Sequence, residues 1–421
     1  FNTAEGFDIV IGNPPYIQLQ KDSGKLANLY EAQNYKSFAK TGDIYCLFYE
    51  KGCNLLNSTG RLCFITSNKW MRAGYGEKLR DYFAKNVNPK LLVDFAGVKV
   101  FESATVDTNI LLFEKGKNEG KTLSCTTTTL TKDGLSNLSD FVKQNSCDCS
   151  FTTKESWVIL SPIEQSIKKK IESAGVPLKD WDISINYGIK TGFNDAFIIS
   201  GEKREEILNN CKTKEERKKT DDLIRPILRG RDIKRYEYNF ADLYLINTHN
   251  GVKDKNIPRI DIKDYPAIKN HLDEYWDKIS TRADKGDTPY NLRNCAYMDE
   301  FNKPKIVWGN LNLSATYTLA PAGMMINAPA TMIVPASESL LCILNSKIAD
   351  YYIRNLGVTR NGGYFEYKPM FIEQLPVPQN IDEKLFEEFS NKELNNEEEI
   401  DRKVYELYGL TDEEIQFLEK M

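Results

Sequence analysis

The sequence predicts an α/β protein: an open sheet with interleaved helices, then a second domain of α+β type and a helical C-terminal tail. Three observations lead there. Strand and helix periodicities alternate through residues 1–118, aromatic and β-branched runs parted by Gly, Asn and Asp turns fill 181–378, and a charged segment of helical spacing closes the chain. At 421 residues the chain exceeds what one hydrophobic core organises, so more than one domain is expected.

The elements follow in order. Phe7-Asp8-Ile9-Val10-Ile11-Gly12 is a short run of β-formers, and the Asn13-Pro14-Pro15-Tyr16 that follows can neither continue a strand nor begin a helix at once. From Asp43 to Leu56, Ile44, Leu47, Phe48 and Leu55 with Tyr45 fall at helical spacing, and Asn57-Ser58-Thr59-Gly60 reads as the stop. Arg61 to Thr66 is a strand, Gly76 to Ala84 a helix, and Lys90 to Phe95 and Thr108 to Glu114 are two more strands. Residues 119–180 read as a connecting segment, polar at first and ending in a helix from Ser161 to Ala174. In the second domain Phe197–Ile199, Tyr244–Asn247, Lys305–Trp308 and Ala330–Val334 are the strands, and 379–421 is the charged tail.

Composition excludes several classes. Lys and Arg number 56 against 60 Asp and Glu, a net charge of -4, so any nucleic-acid site is local rather than a global basic field. Nine scattered cysteines, no CxxC pair and two histidines argue against a zinc centre, and no metal site is expected. Unpaired thiols fit a reducing, cytoplasmic setting. No apolar run approaches the roughly 20 residues that span a bilayer. The opening Phe1-Asn2-Thr3-Ala4 reads as a cut through a longer protein.

In an open α/β sheet the active crevice lies beyond the carboxyl ends of the strands, which is where the Asn13-Pro14-Pro15-Tyr16 loop falls. The exocyclic amine of adenine is a poor nucleophile because its lone pair is delocalised into the ring. The Asn13 side-chain oxygen and the Pro14 carbonyl are two acceptors for its N–H bonds, on a backbone that Pro14 and Pro15 stiffen. The Tyr16 ring offers a stacking face.

Ile11-Gly12-Asn13-Pro14-Pro15-Tyr16 resembles motif IV of the γ-class adenine-N6 DNA methyltransferases of restriction-modification systems. Gly42-Asp43-Ile44-Tyr45 with Phe48 resembles the helix that follows it in that family, and Gly60 to Thr66 the next strand. Val100-Phe101-Glu102-Ser103-Ala104 with Thr108-Asn109-Ile110-Leu111 resembles motif VIII, which implies that Phe101 stacks on the second face of a flipped adenine. Further on, Tyr187 to Phe197, Pro226 to Ile233, Leu341 to Ser346, Gly362 to Phe365 and Gln374 to Pro378 resemble the TaqI-like C-terminal specificity domain.

These resemblances imply a partial Rossmann-like methyltransferase sheet joined to a target-recognition domain, with double-stranded DNA as partner and S-adenosylmethionine as methyl donor. They imply catalysis by Asn13, Pro14, Pro15 and Tyr16. Beside Gly-containing turns, Lys190, Thr191, Asn194, Arg229, Arg231, Lys234 and Arg235 are the expected DNA contacts. The family's Gly-rich cofactor loop precedes motif IV and is absent here, so the chain alone is expected to bind the cofactor weakly and to be inactive. An endonuclease fused upstream, with Mg2+, is expected only by analogy with single-chain restriction-modification enzymes. The competing readings are a non-catalytic DNA-binding specificity module and an N-methyltransferase acting on RNA or protein.

Overall fold

The computed structural model describes residues 6–95, 98, 100–101, 107–127, 137–356, 363–379, 381 and 397–420. The opening Phe1 to Ala4, Glu102 to Ala104 of the motif VIII resemblance, Gly362 and the acidic stretch from Glu383 to Glu393 lie outside them. The chain divides into two compact units, 1–167 and 168–421.

The first unit is built on a six-stranded mixed sheet of order β1-β2-β4-β3-β5-β6, with β1 Phe7–Gly12, β2 Leu56–Ser67, β3 Val87–Asp94, β4 Thr108–Lys115, β5 Thr122–Thr126 and β6 Cys147–Cys149. β1 runs parallel to β2 and β3 to β5, whereas β4 runs antiparallel to both its neighbours. The α/β architecture expected from the alternating periods is thus present. Strands β5 and β6 and a helix between them fall within 119–180, the stretch whose composition reads as a connection.

Asn57-Ser58-Thr59-Gly60 does not form a free turn after the helix. The helix ends at Leu55, β2 begins at Leu56, and the four residues bulge between two registers of β2 on β1, Phe7 opposite Leu56 and Ile9 opposite Arg61. Gly60 is required there, because a Cβ would lie 2.7 Å from the Phe7 carbonyl oxygen.

Helices α1 Lys21–Glu31, α2 Tyr45–Leu55, α3 Glu77–Asn86, α4 Leu138–Asn145 and α5 Pro162–Ala174 complete the set in this part of the chain. One face of the sheet is covered by α2 and α3. Tyr45, Tyr49 and Cys53 recur at a spacing of four and so share a stripe of α2, which packs with Phe64, Phe83 and Phe113 into one buried cluster. Tyr49 meets Phe64 at 5.2 Å and Phe83 at 5.1 Å between ring centroids. The other face is covered by α4 over Val93, Phe95 and Cys125. Over β1 the described residues leave it bare: Phe7, Ile9 and Ile11 are 40%, 68% and 78% exposed.

The second unit holds two four-stranded sheets. One has the order Met325–Ile326, Ile224–Leu228, Leu243–Ile246, Ile198–Ser200; the other Tyr317–Ala320, Lys305–Trp308, Thr331–Val334, Ser184–Tyr187. Lys305 is fully buried, its ammonium donating to the carbonyls of Pro321 (3.0 Å) and Met324 (3.2 Å), which ties the turn entering Met325–Ile326 to the neighbouring sheet. Burial pulls its pKa down to about 8. Helices Glu338–Asn345, Lys347–Leu356, Glu397–Leu407 and Asp412–Glu419 include the helical tail expected from the charge pattern. Among the described residues no helix is long and apolar enough to cross a membrane, and all nine cysteines are free.

Candidate active site and nucleic-acid interface

β1 ends with Gly12 opposite Phe64 of β2, packed so closely that a Cβ on Gly12 would lie 3.3 Å from the Phe64 ring. The chain then leaves the sheet at its carboxyl edge through Asn13-Pro14-Pro15-Tyr16. Pro14 is buried, Tyr16 half-buried, and Asn13 and Pro15 are exposed. Buried Pro14 anchors the turn while the Asn13 carboxamide stays open to a ligand.

The segment before α2 clasps the loop from behind. Asp43 Oδ1 accepts the Ile17 N–H at 2.8 Å, Leu19 N–H donates to the Gly42 carbonyl at 2.9 Å, and Ile44 N–H to the Ile17 carbonyl at 2.9 Å. Burial pushes the Asp43 carboxyl above the usual range for aspartate, partly offset by the backbone N–H groups it accepts. Tyr16 makes a T-shaped contact with Tyr45, 6.0 Å between centroids at 81°, and Tyr45 Oη shares a 2.8 Å hydrogen bond with Tyr75 Oη. Burial, then the charge of Asp43, raises the Tyr16 phenol above its ordinary pKa, so it stays neutral and polar at physiological pH.

The same edge gathers the ends of three further strands. β2 finishes at Ser67 opposite Thr108, β3 finishes at Asp94 opposite Asn109, and Asn68 Nδ2 donates to Asp94 Oδ1 at 2.7 Å. Tyr49 Oη and Thr66 Oγ1 are 2.9 Å apart, and Asn109 Nδ2 donates to the Ser67 carbonyl at 3.0 Å. Three buried polar atoms at this end, Tyr16 Oη, Thr108 Oγ1 and Asn109 Oδ1, make no hydrogen bond among the described residues. Phe101 lies in the connection from β3 to β4 and is half-buried. Asn13 and Tyr16, predicted as one motif, thus sit at the end of the sheet where β2 and β3 finish and β4 begins.

In the second unit the predicted contacts are also brought together, by backbone hydrogen bonds. Asn327 N–H donates to the Leu228 carbonyl (2.8 Å), Ala328 N–H to the Ile189 carbonyl (3.0 Å) and Ile189 N–H to the Ile326 carbonyl (2.7 Å), so the loops that begin at Lys190 and Arg229 flank one strand end. Lys190, Asn194, Arg231 and Lys234 are exposed, and the three cations form no ion pair among the described residues. Thr191 is buried at 2% exposure, its hydroxyl donating to Asn194 Oδ1 at 2.6 Å. The Arg229 guanidinium donates to both Asp232 oxygens, at 2.8 and 2.7 Å, and Arg235 pairs with Glu397 at 3.3 Å.

Sequence reasoning did not single out Arg282. It is 7% exposed, lies 4.1 Å above the Phe197 ring, and donates to the carbonyls of Thr191, Pro289 (3.1 Å) and Asn291 (2.6 Å). Burial lowers its pKa to about 10, so it remains charged at neutral pH and pins the Thr191 loop from inside. Gly192 follows at φ +71, and a Cβ there would lie 2.9 Å from the Asp284 carbonyl oxygen. Among the described residues no group of three or more His, Cys, Asp or Glu is placed to hold a metal ion.

Residues 1–101 match the family described as Eco57I restriction-modification methylase, and residues 225–377 match the TaqI-like C-terminal specificity domain. The chain joins an Eco57I-type methylase segment to a TaqI-like specificity domain. Relatives match it along nearly its whole length. The chain is 21% identical over 430 residues to Type II methyltransferase M.PaeR7I of Pseudomonas aeruginosa, covering 97% of this chain and 71% of the relative. It is 22% identical over 442 residues to Type II methyltransferase M.BstVI of Geobacillus stearothermophilus, covering 98% and 75%. The structure of the Type IIL restriction-modification enzyme MmeI in complex with DNA shares the fold, with a TM-score of 0.57 at 13% identity over 98% of this chain. The chain spans only 56% of that structure's length.

Proposed function

We propose that the protein methylates the N6 amine of adenine within a short sequence of double-stranded DNA, as the modification activity of a restriction-modification enzyme, with S-adenosylmethionine as the methyl donor. The observation that carries this reading is the exposed Asn13 carboxamide beside a buried, proline-fixed turn at the carboxyl edge of the sheet.

Asn13 Oδ1 and the Pro14 carbonyl accept the two N–H bonds of the extruded amine, which draws its lone pair out of the ring and toward the electrophile. Tyr16 and Phe101 flank the base, replacing the stacking it loses on leaving the duplex. No strong base is needed, because the amine proton becomes acidic once the new C–N bond forms. Positioning and fixed dipoles therefore supply the acceleration.

S-adenosylmethionine supplies the methyl group when bound, but the described residues do not form a complete site for it. The closely spaced glycines Gly74 and Gly76 lie in a tight turn that is open at Gly74 but closed against protein at Gly76. A Cβ on Gly76 would lie 2.0 Å from the Trp70 carbonyl oxygen, and Tyr75 is bonded to Tyr45. Titration calorimetry on the 421-residue chain is accordingly expected to show no low-micromolar binding of S-adenosylmethionine. The deciding experiment is single-molecule sequencing of DNA from cells expressing the intact gene. N6-methyladenine at one recurrent sequence supports the reading, and unmodified DNA overturns it.

A further inference from the structure

The loop from Gly309 to Leu313 lies against the loop that carries Arg229 and Arg231. A Cβ on Gly309 would lie 3.3 Å from the Gly230 carbonyl oxygen, and a Cβ on Gly230 would lie 3.5 Å from Gly309 Cα, so the two backbones touch where both lack side chains. The Gly309 loop is held on both sides. Thr331 Oγ1 donates to Asn310 Oδ1 at 2.6 Å, Tyr367 N–H donates to the Asn310 carbonyl at 2.8 Å, and Asn312 Nδ2 folds back onto the Gly309 carbonyl at 2.7 Å. Leu311 and Asn312 pair with Glu366 and Phe365 of a neighbouring strand, and the Leu313 carbonyl accepts from Arg354 Nη2 at 2.6 Å.

On this fixed backbone Leu311 and Leu313 are 51% and 56% exposed, and Tyr364, next to the paired strand, is 40% exposed. One exposed leucine needs no explanation. Two exposed leucines two positions apart, Leu311 on a short strand and Leu313 in the bend after it, on a loop tied down through Asn310, Asn312 and the Leu313 carbonyl, form an apolar prong. The loop in contact with it carries Arg231 and Lys234, cations with no ion pair among the described residues, so the surround suits a polyanion whose interior is apolar.

We propose that Leu311 and Leu313 are a wedge that enters the base stack of duplex DNA while Arg231 and Lys234 hold the adjoining phosphates. This rests on the DNA-methylating reading above and deepens it, by naming side chains that part a base step of the bound duplex. Apolar wedges part base steps because their own burial offsets the stacking lost.

The test uses the full-length protein and fluorescein-labelled duplexes carrying the sequence it methylates, in an intact form and in a form with one abasic position at the target. The L311A/L313A variant is expected to bind intact duplex roughly 10- to 100-fold more weakly, from the loss of two apolar side chains at the interface. On the abasic duplex, already unstacked, its deficit shrinks to within about threefold. Its salt dependence stays that of the parent, whereas R231A lowers the slope of log K against log salt by about one. In a second measurement, L311W fluorescence is quenched on binding intact duplex, as an indole stacked on bases requires. Binding with unchanged L311W emission, or an equal deficit on both duplexes, overturns the wedge and leaves the DNA reading standing. Absence of binding to any duplex overturns both.

Discussion

Around Asn13 the first unit exposes a neutral carboxamide on a backbone fixed by two prolines and by Asp43, whereas around Gly230 the second unit commits part of its positive charge to its own carboxylates. The difference follows from what each rim must do. Transferring a group to a weak nucleophile needs a few dipoles whose position does not change as the reaction proceeds, and the loop is correspondingly tied down by backbone and side-chain hydrogen bonds from the segment before α2. Holding a polyanion needs mobile cations at the surface, but a loop of cations alone would repel itself. Arg229 and Arg235, paired with Asp232 and Glu397, lie in the loop that presents Arg231 and Lys234.

That contrast can be broken most sharply at Asn13. Replacing it with Ala in the intact protein is expected to lower kcat about 10²- to 10³-fold or more, with duplex affinity within about twofold of the parent. Fluorescence anisotropy alongside a methylation assay separates the two, and parallel loss of both would mean that Asn13 holds the rim together instead of acting on the amine.

The next largest effect belongs to Arg282. An R282M variant leaves the carbonyls of Thr191 and Asn291 without their donor in a buried setting, at a cost of about 3 kcal/mol. A lower urea midpoint with a native-like far-ultraviolet spectrum is the expected result. An R282K variant should recover part of it, since an ammonium can still reach one or two of the carbonyls.

A finer distinction separates the cations. R231A and K234A are each expected to reduce the salt slope of duplex binding by about one at unchanged stability. R229A should instead destabilise the fold by about 1–3 kcal/mol, because it strips the partner from Asp232, which is 5% exposed. The same response from all three would erase the proposed division between scaffold and contact.

The smallest effect is in pH. Both histidines, His249 and His271, lie in the second unit, and burial lowers the pKa of each. His271 Nε2 bonds the Ala196 carbonyl at 3.0 Å, so that nitrogen carries the hydrogen and the ring is neutral. A folded-state pKa below the unfolded one means that the unfolded chain takes up protons first. Their contribution is complete above about pH 6.5 and is lost as pH falls through that value, with a slope of at most about 1.4 kcal/mol per pH unit for each ring. Urea unfolding at a series of pH values should show this slope, and an H249N/H271N variant should flatten it.

Much of this was readable in the residues. β1, the strands Arg61 to Thr66 and Lys305–Trp308, and the helix after Ser161 follow from local pattern, as short runs of β-formers bounded by turn residues or as apolar positions at helical spacing. The Asn13 loop was readable because proline restricts its own backbone and that of the residue before it, whatever surrounds them. What escaped depends on distant partners. Thr191 looks like a surface hydroxyl beside a glycine, yet it is buried because Arg282, 91 positions away, draws its carbonyl inward. Asn57 to Gly60 has turn composition and forms a bulge, since β1 offers it a pairing edge that local propensity does not register. The paired state of Arg229 was hinted at by Asp232 three positions on, a spacing that lets the two side chains meet.

The bare face of β1 bears on how the protein behaves in a test tube. Phe7, Ile9 and Ile11 line up on an outermost strand with no lysine or proline among them to discourage a second strand from annealing there. A preparation of these 421 residues has a built-in route to strand-to-strand clumping, one that begins at the same ribbon that delivers Asn13 to its rim. A single charged residue at position 9, on the outward face and four residues short of Asn13, is the least intrusive way to close it.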